Sequence, residues 1–183
     1  MTHLLLVGLG NLPYPVSRHS VGQLVIDALA EGLGIHMSAG PGGLFGRSNV
    51  TIGETALSLS LFKSKDFMNV SGPSIASIYR KTVKSPASLV VISDSLQHRP
   101  ESLKVRLGGS ANGHNGVKSI ISSLGGQSDF YRFRIGIGRD NSDPADYVMR
   151  NLSSHERHFW TKGNGFDLVL QELEIIAKKV AAK

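Results

Sequence analysis

The chain has 183 residues, 40% hydrophobic and 19% charged, which suits one globular domain and excludes a disordered or fibrous protein. It contains no cysteine, which excludes disulfides, thiolate metal sites and a cysteine nucleophile. No apolar run approaches the roughly 20 residues that span a bilayer, and the start of the chain lacks a secretory signal pattern. We therefore expect a protein that is neither membrane-spanning nor secreted.

The net charge of +6 is unevenly distributed. Residues 63–139 hold twelve Lys or Arg and four Asp or Glu, a net charge of +8, whereas the remainder carries −2. A basic middle segment favours an anionic partner, and nucleic acid is the first candidate. Charge alone supports equally well a surface whose basic residues only keep the protein in solution.

The first elements in chain order are a strand, a helix and a loop. The apolar run Leu4–Leu9 predicts a buried strand, and the spacing of apolar residues over 21–33 predicts a helix that Gly32 and Gly34 end. His36–Gly46 carries four glycines and one proline, so we interpret it as a loop.

Strands and one helix are predicted next. Ser48–Ile52 and Thr55–Phe62 form paired strands around a Gly53-Glu54 turn. Ser71 begins a helix as its N-cap, and the helix extends to about Lys84. Leu89–Ser93 is short, apolar and rich in β-branched residues, which is typical of a central strand buried on both faces.

The last third continues the alternation of strands and helices. We predict, in order, a weak strand over 102–107, a glycine-rich loop over 108–116, a short helix over 117–124, a strand over 131–137, a turn at Asp143-Pro144 and helical structure broken near residues 163–165. No repeat or long linker divides residues 1–183. The fold class is therefore one α/β domain with a mixed, mostly parallel, twisted sheet flanked by helices.

Candidate catalytic residues stand where predicted strands end. His19 precedes the first helix, and a neutral imidazole near pH 7 can accept a proton from water. Asp94 follows the buried strand, where a carboxylate could hold a histidine ring in one tautomer. A surface histidine and an ordinary turn aspartate are the alternatives. His114, in the glycine-rich loop, is a rival base.

Three asparagine side chains are further candidates for substrate contacts, and the sequence argues against several other kinds of site. Asn11 follows the first strand, where Pro13 breaks the G-x-G-x-x-G pattern of dinucleotide-binding proteins. Asn69 could contact a peptide backbone or form an Asx-turn, and Asn115 could donate to a substrate or belong to a flexible surface loop. The histidines show no ligand pattern, and His155-Glu156-Arg157-His158 is not H-E-x-x-H, so we predict no metal. The absence of G-x-S-x-G argues against a serine acyl-enzyme.

Taken together, these segments resemble the bacterial-type peptidyl-tRNA hydrolase family from about residue 4 to residue 152. Six motifs match in order and with compatible spacing: Val7-Gly8-Leu9-Gly10-Asn11, Arg18-His19 with Gly22, Phe67-Met68-Asn69-Val70-Ser71-Gly72, Asp94, Leu107-Gly108-Gly109 through Gly113-His114-Asn115-Gly116, and Arg132-Phe133-Arg134-Ile135-Gly136-Ile137-Gly138.

The resemblance implies a compact, monomeric, cofactor-free hydrolase of the ester between peptide and tRNA. It further implies these roles: His19 as catalytic base, Asp94 as its partner, Asn11, Asn69 and Asn115 as substrate contacts, Met68 in the site wall, and Lys104, Arg106 and Arg134 as tRNA-phosphate contacts. For the location we expect either the cytoplasm or the mitochondrial matrix.

The chain departs from the family pattern at four places. Leu12-Pro13 replaces the usual Pro-Gly, Ser20 stands where Asn is usual, Ser95 and Gln97 stand where acidic residues are usual, and 110–112 lacks the common glycine and histidine. These departures motivate an alternative, a catalytically silent RNA-binding homologue. A second alternative is a general esterase or amidase that uses His19 and Asp94 on small substrates.

Overall fold

One seven-stranded sheet organises the computed structural model, which describes residues 1–183. The strands are β1 (His3–Gly8), β2 (Ser38–Gly40), β3 (Gly43–Ile52), β4 (Thr55–Ser64), β5 (Leu89–Ser95), β6 (Leu103–Leu107) and β7 (Tyr131–Gly136). Their order across the sheet is β2-β3-β4-β1-β5-β7-β6.

The middle of the sheet is parallel and its edges are antiparallel. β4, β1, β5 and β7 are parallel neighbours, while β3 and β6 run against them. β2 is antiparallel to β3, so five of the seven strands share one direction. The predicted α/β class with a mixed, mostly parallel sheet is confirmed.

Helices cover both faces of the sheet. They are α1 (Val21–Leu33), α2 (Gly72–Thr82), α3 (Asn115–Ser123), α4 (Pro144–Tyr147), α5 (Ser154–Thr161) and α6 (Asn164–Ala181), with short 3₁₀ turns at Arg18–Ser20, Met68–Val70 and Pro86–Ser88. α1, α5 and α6 pack with the larger buried cluster, and α2 and α3 with the smaller one on the opposite face. No helix is long and apolar enough to cross a membrane.

Two glycines bring α1 close to the ends of two strands. A methyl group on Gly22 would collide with the carbonyl oxygen of Ile92, and one on Gly8 with the carbonyl oxygen of Gly22. The absence of both side chains lets the start of α1 lie directly on β1 and β5. The preceding turn, Arg18–Ser20, is thereby placed at the carboxyl end of β5.

Two predicted boundaries were wrong. The segment His36–Gly46, predicted as a loop, contains β2 and the start of β3, joined by a turn in which Gly42 has φ 85°. Its glycines reflect close pairing, since Gly40 is paired with Gly43. Asp94 lies within a strand, because β5 stays paired with β7 through Ser95.

Two further local predictions need correction. Ser71 stands at the N-cap of α2, but its hydroxyl donates to the Met68 carbonyl oxygen and caps nothing. The predicted turn at Asp143-Pro144 is the start of α4, where the Asp143 side chain accepts the Ala145 N–H. Pro144 suits this first turn because an N–H at that position would have no helical partner.

Candidate active site

A pocket of about 350 Å³ opens at the carboxyl ends of β5 and β7. Its lining includes His19, Asp94, His114, Asn115 and Arg134. Ligands of open α/β sheets bind at this edge of the strands. Residues that are far apart in sequence are therefore combined where the fold class predicts a site.

His19 and Asp94 form a close pair inside this pocket. Nδ1 of His19 lies 3.0 Å from both carboxylate oxygens of Asp94. The His19 side chain is 17% exposed and that of Asp94 is 3% exposed. An ionised carboxylate only accepts hydrogen bonds, so Nδ1 of His19 carries the proton and donates it. Nε2 of the neutral ring keeps its lone pair.

The backbone that carries His19 is held by residues 148–152. The His19 N–H donates to the Val148 carbonyl oxygen at 2.8 Å, and the Arg18 N–H donates to that of Arg150 at 2.9 Å. The Arg18 guanidinium lies over the Tyr147 ring, 4.6 Å from its centroid. The wall of the pocket formed by Val148 is thus fixed to the same segment as the histidine.

His114 is a second donor to Asp94, a contact that the sequence did not predict. Nε2 of His114 lies 2.9 Å from Oδ1 of Asp94. Nδ1 of the same ring accepts the N–H groups of Gly116 at 3.1 Å and Val117 at 3.3 Å, which caps α3. Both ring nitrogens are occupied, so this geometry does not support His114 as the rival base.

The charge of Asp94 sets the ionisation of the site. Burial raises the pKa of Asp94, but the electrostatic attraction and hydrogen bond of His114 and the contacts of His19 outweigh it and hold the pKa well below its usual range. Burial lowers the pKa of His19, but the hydrogen bond and charge of Asp94 raise it above its ordinary value of 6.5. The carboxylate therefore stays ionised, and its negative charge favours the protonated form of the neighbouring His19.

The same three side chains resemble a metal site only by proximity. Ligand-type atoms of His19, Asp94 and His114 lie within 4.8 Å of one another. The nitrogens that face Asp94 carry protons, whereas a metal ligand must present a lone pair. The second nitrogen of His114 is taken by backbone N–H groups. The triad fits a hydrogen-bonded arrangement better than a metal centre.

The predicted substrate contacts fall into two groups. Asn115 lines the pocket, and together with Asn69 it lines a neighbouring groove beside α3. Asn11 is buried, and its Oδ1 accepts the Met68 N–H at 2.7 Å. Its backbone N–H donates to the Ser20 hydroxyl at 2.9 Å. Met68 itself lies in the smaller buried cluster and does not line the pocket.

The three predicted basic residues lie on two neighbouring strands. Lys104 is paired with Arg134, and Arg106 with Arg132. Paired and alternate residues of a sheet share a face, so all four cations project from one side. We call Lys104, Arg106, Arg132 and Arg134 the basic face. Of the three predicted residues, Arg134 lines the pocket.

Arg132 is the member of the basic face that the sequence reasoning missed. It is 2% exposed, it lines the pocket, and its Nη1 donates to the Ser110 carbonyl oxygen in the glycine-rich loop. Burial, Arg134 and Arg106 lower the pKa of Arg132 to about 10. The alternation of Arg132, Phe133 and Arg134 already indicated that both arginines share a face.

The chain is similar to known proteins over most of its length. The family model described as peptidyl-tRNA hydrolase matches residues 5–183. Proteins named peptidyl-tRNA hydrolase from Frankia alni and from Mycobacterium tuberculosis strain H37Rv are each 38% identical to the chain; the matches cover 84% of it and 78% and 81% of those proteins.

A solved structure has the same fold throughout. The crystal structure of peptidyl-tRNA hydrolase from Acinetobacter baumannii superposes with a TM-score of 0.83 at 27% identity, covering 98% of this chain and 90% of that one. The resemblance seen in the motifs extends over nearly the whole fold, and the chain belongs to the peptidyl-tRNA hydrolase family.

Proposed function

We propose that the chain hydrolyses the ester bond between a peptide and the 3′ end of tRNA, releasing free tRNA. The observation that carries this proposal is the His19–Asp94 pair in a pocket that Arg134 joins to the basic face. The pair supplies a base, and the basic face supplies a surface for phosphates. Family membership indicates the substrate.

His19 acts as the general base. Its Nδ1–H is held by Asp94, so Nε2 is the atom that takes a proton from water. The oxygen of that water forms a bond to the ester carbonyl carbon, and the carbonyl oxygen becomes an oxyanion. Collapse of this intermediate breaks the bond to the ribose oxygen. The ribose oxygen then recovers the proton from His19, and the base is regenerated.

Asp94 orients the base and stabilises the imidazolium that forms during the reaction. His114 supports Asp94 by donating a second hydrogen bond to the carboxylate. Hydrogen bonds to the charged form favour ionisation, which agrees with the lowered pKa of Asp94. Asp94 therefore remains an acceptor, and His19 cannot turn its lone pair toward it.

The asparagines supply amide groups for the substrate. The oxygen of Asn11 is occupied by the Met68 N–H, so its NH₂ group is the part available to an ester or oxyanion. Asn69 and Asn115 share the groove beside α3 and offer both donors and acceptors to a peptide backbone. One donor to an oxyanion contributes roughly 3 kcal/mol to catalysis. Met68 contributes through its backbone N–H, which fixes Asn11.

Lys104, Arg106 and Arg134 bind tRNA phosphates in this proposal. Like charges directly opposite each other destabilise a sheet, and the basic face places two such pairs side by side. Binding of phosphates would offset that repulsion, so tRNA affinity should fall as salt rises. The proposal also includes a monomeric state, which the family resemblance implies, and a location in the cytoplasm or the mitochondrial matrix.

The test is release of tRNA from an N-blocked aminoacyl-tRNA under single-turnover conditions. We expect His19→Ala to lower the rate by on the order of 10²–10⁴-fold, because the base is lost. His158→Ala is the matched control, since His158 is exposed on α5, and it should match the wild type. Wild-type protein that binds tRNA but cleaves nothing would be a silent homologue. Turnover of simple esters unaffected by Lys104→Ala would indicate a general esterase.

A further inference from the structure

His98 lies beside the basic face, at a position that the proposed function has not used. Ser93 is paired with Arg134 across β5 and β7, and Ser95 is two residues further along the same strand. Alternate residues of a strand share a face, so Ser95 and Arg134 project on the same side. Oγ of Ser95 lies 2.7 Å from Nδ1 of His98. This contact holds the imidazole at the basic face.

The hydrogen bonds of His98 leave one nitrogen free. The Ser95 hydroxyl donates to Oε1 of Gln97 at 3.2 Å, so its oxygen accepts the Nδ1–H of His98. Nε2 of His98 has no hydrogen-bond partner in the protein, and the ring is half-buried. A proton added to Nε2 would create a second, unoccupied donor on a cation.

The charges that act on His98 are positive. Burial lowers its pKa, and Arg134 on β7 and Lys104 on β6 lower it further. The nearby Asp94 belongs to the opposite face, since it is paired with Ile135 of the larger buried cluster. These charges and the burial favour the neutral form of His98 in the free protein. An anion placed between Lys104 and Arg134 would reverse that balance and favour the imidazolium.

We infer that His98 is a further phosphate-binding residue, which takes up a proton when a phosphate of tRNA binds beside Lys104 and Arg134. The protonated ring donates Nδ1–H to Ser95 and Nε2–H to a phosphate oxygen. Two cations on neighbouring strands and one neutral histidine thus become three cations around one anion. The inference rests on the tRNA-binding part of the proposed function and does not depend on ester hydrolysis.

The experiment measures binding of deacylated tRNA at pH 6 and pH 8 over a range of salt concentrations. In wild-type protein, the slope of log affinity against log salt should be steeper at pH 6 by about 0.7–0.9, the value of one added phosphate contact. His98→Gln should remove this difference, because its amide does not titrate in this range. Ser95→Ala should reduce it, because the ring loses its anchor.

The matched control is His158→Gln, an identical change at an exposed histidine on α5, which should keep the wild-type pH effect. Comparison with His98→Gln cancels any contribution of His19, which is present in both proteins. An equal change of slope with pH in wild type and His98→Gln would overturn the role of His98. A steep salt dependence that does not change with pH would also overturn the role of His98, but it would still support phosphate binding by the basic face. A protein that binds tRNA at neither pH would overturn both the role of His98 and the proposed phosphate binding by the basic face.

Discussion

Replacing Asp94 by asparagine tests the ionic arrangement of the site with almost no change in shape. Asp94 receives an N–H from His19 and another from His114. An asparagine offers one acceptor oxygen and one NH₂ group, so one of the two donors would face another donor. His114 cannot change its tautomer without losing the cap of α3, because its Nδ1 accepts the N–H groups of Gly116 and Val117.

His19 is therefore the ring that must adapt. It would move its proton to Nε2 so that Nδ1 accepts from the new amide, and the lone pair that activates water would be lost. In Ser-His-Asp triads, the same substitution costs roughly 10⁴-fold in kcat. We expect Asp94→Asn to lower the single-turnover rate by on the order of 10³–10⁴-fold. If His19 does not adapt, a buried donor left unpaired lowers the free energy of unfolding by about 1–3 kcal/mol.

The assay is tRNA release under single-turnover conditions, combined with urea unfolding of the same preparations. Asp167→Asn, the same chemical change at an exposed position on α6, is the matched control and should leave the rate unaffected. A folded Asp94→Asn protein within tenfold of the wild-type rate would refute the tautomer argument. It would show that His19 keeps Nε2 free without the charge of Asp94.

Two further predictions follow from His19 and His114. Catalysis needs neutral His19, and the contacts with Asp94 raise the pKa of His19 above 6.5. We therefore expect kcat/KM to fall with decreasing pH through a midpoint above 6.5. An acid midpoint below that value would contradict the role of His19 as the base. His114→Ala removes the cap of α3, whereas His114→Asn restores a capping oxygen. We therefore expect His114→Ala to lower the free energy of unfolding by about 1 kcal/mol more than His114→Asn. Equal urea midpoints of the two variants would show that the cap contributes nothing to stability.

The sequence predicts the strand and the turn that position this site, because each is indicated by a pattern of neighbouring residues. Leu89–Ser93 reads as a central strand from its apolar, β-branched residues, and the structure places it there as part of β5. A turn before α1 and the end of a parallel strand meet at one edge of such a sheet. The proximity of His19 and Asp94 therefore follows from topology together with two short motifs.

The contact between His114 and Asp94 could not be predicted in the same way. It depends on the path of the glycine-rich loop, where Gly108, Gly109 and Gly113 all have positive φ. Each of these glycines had several conformations open to it, and tertiary contacts such as that from Arg132 to Ser110 select one. The strand β2 was missed for a related reason, since glycines that pair closely look like loop residues in a sequence.

The backbone contacts between residues 16–19 and 148–152 have a consequence for how activity is lost. The N–H groups of Arg18, His19 and Leu152 all donate from one of these two segments to the other, and we call this set of contacts the junction. No strand of the central sheet takes part in it. Opening of the junction would displace His19 while the sheet remains folded. These three amide hydrogens should therefore exchange with solvent as one cooperative unit, at a lower free energy than those of β5. Thermal inactivation of the enzyme would then report this local opening before global unfolding.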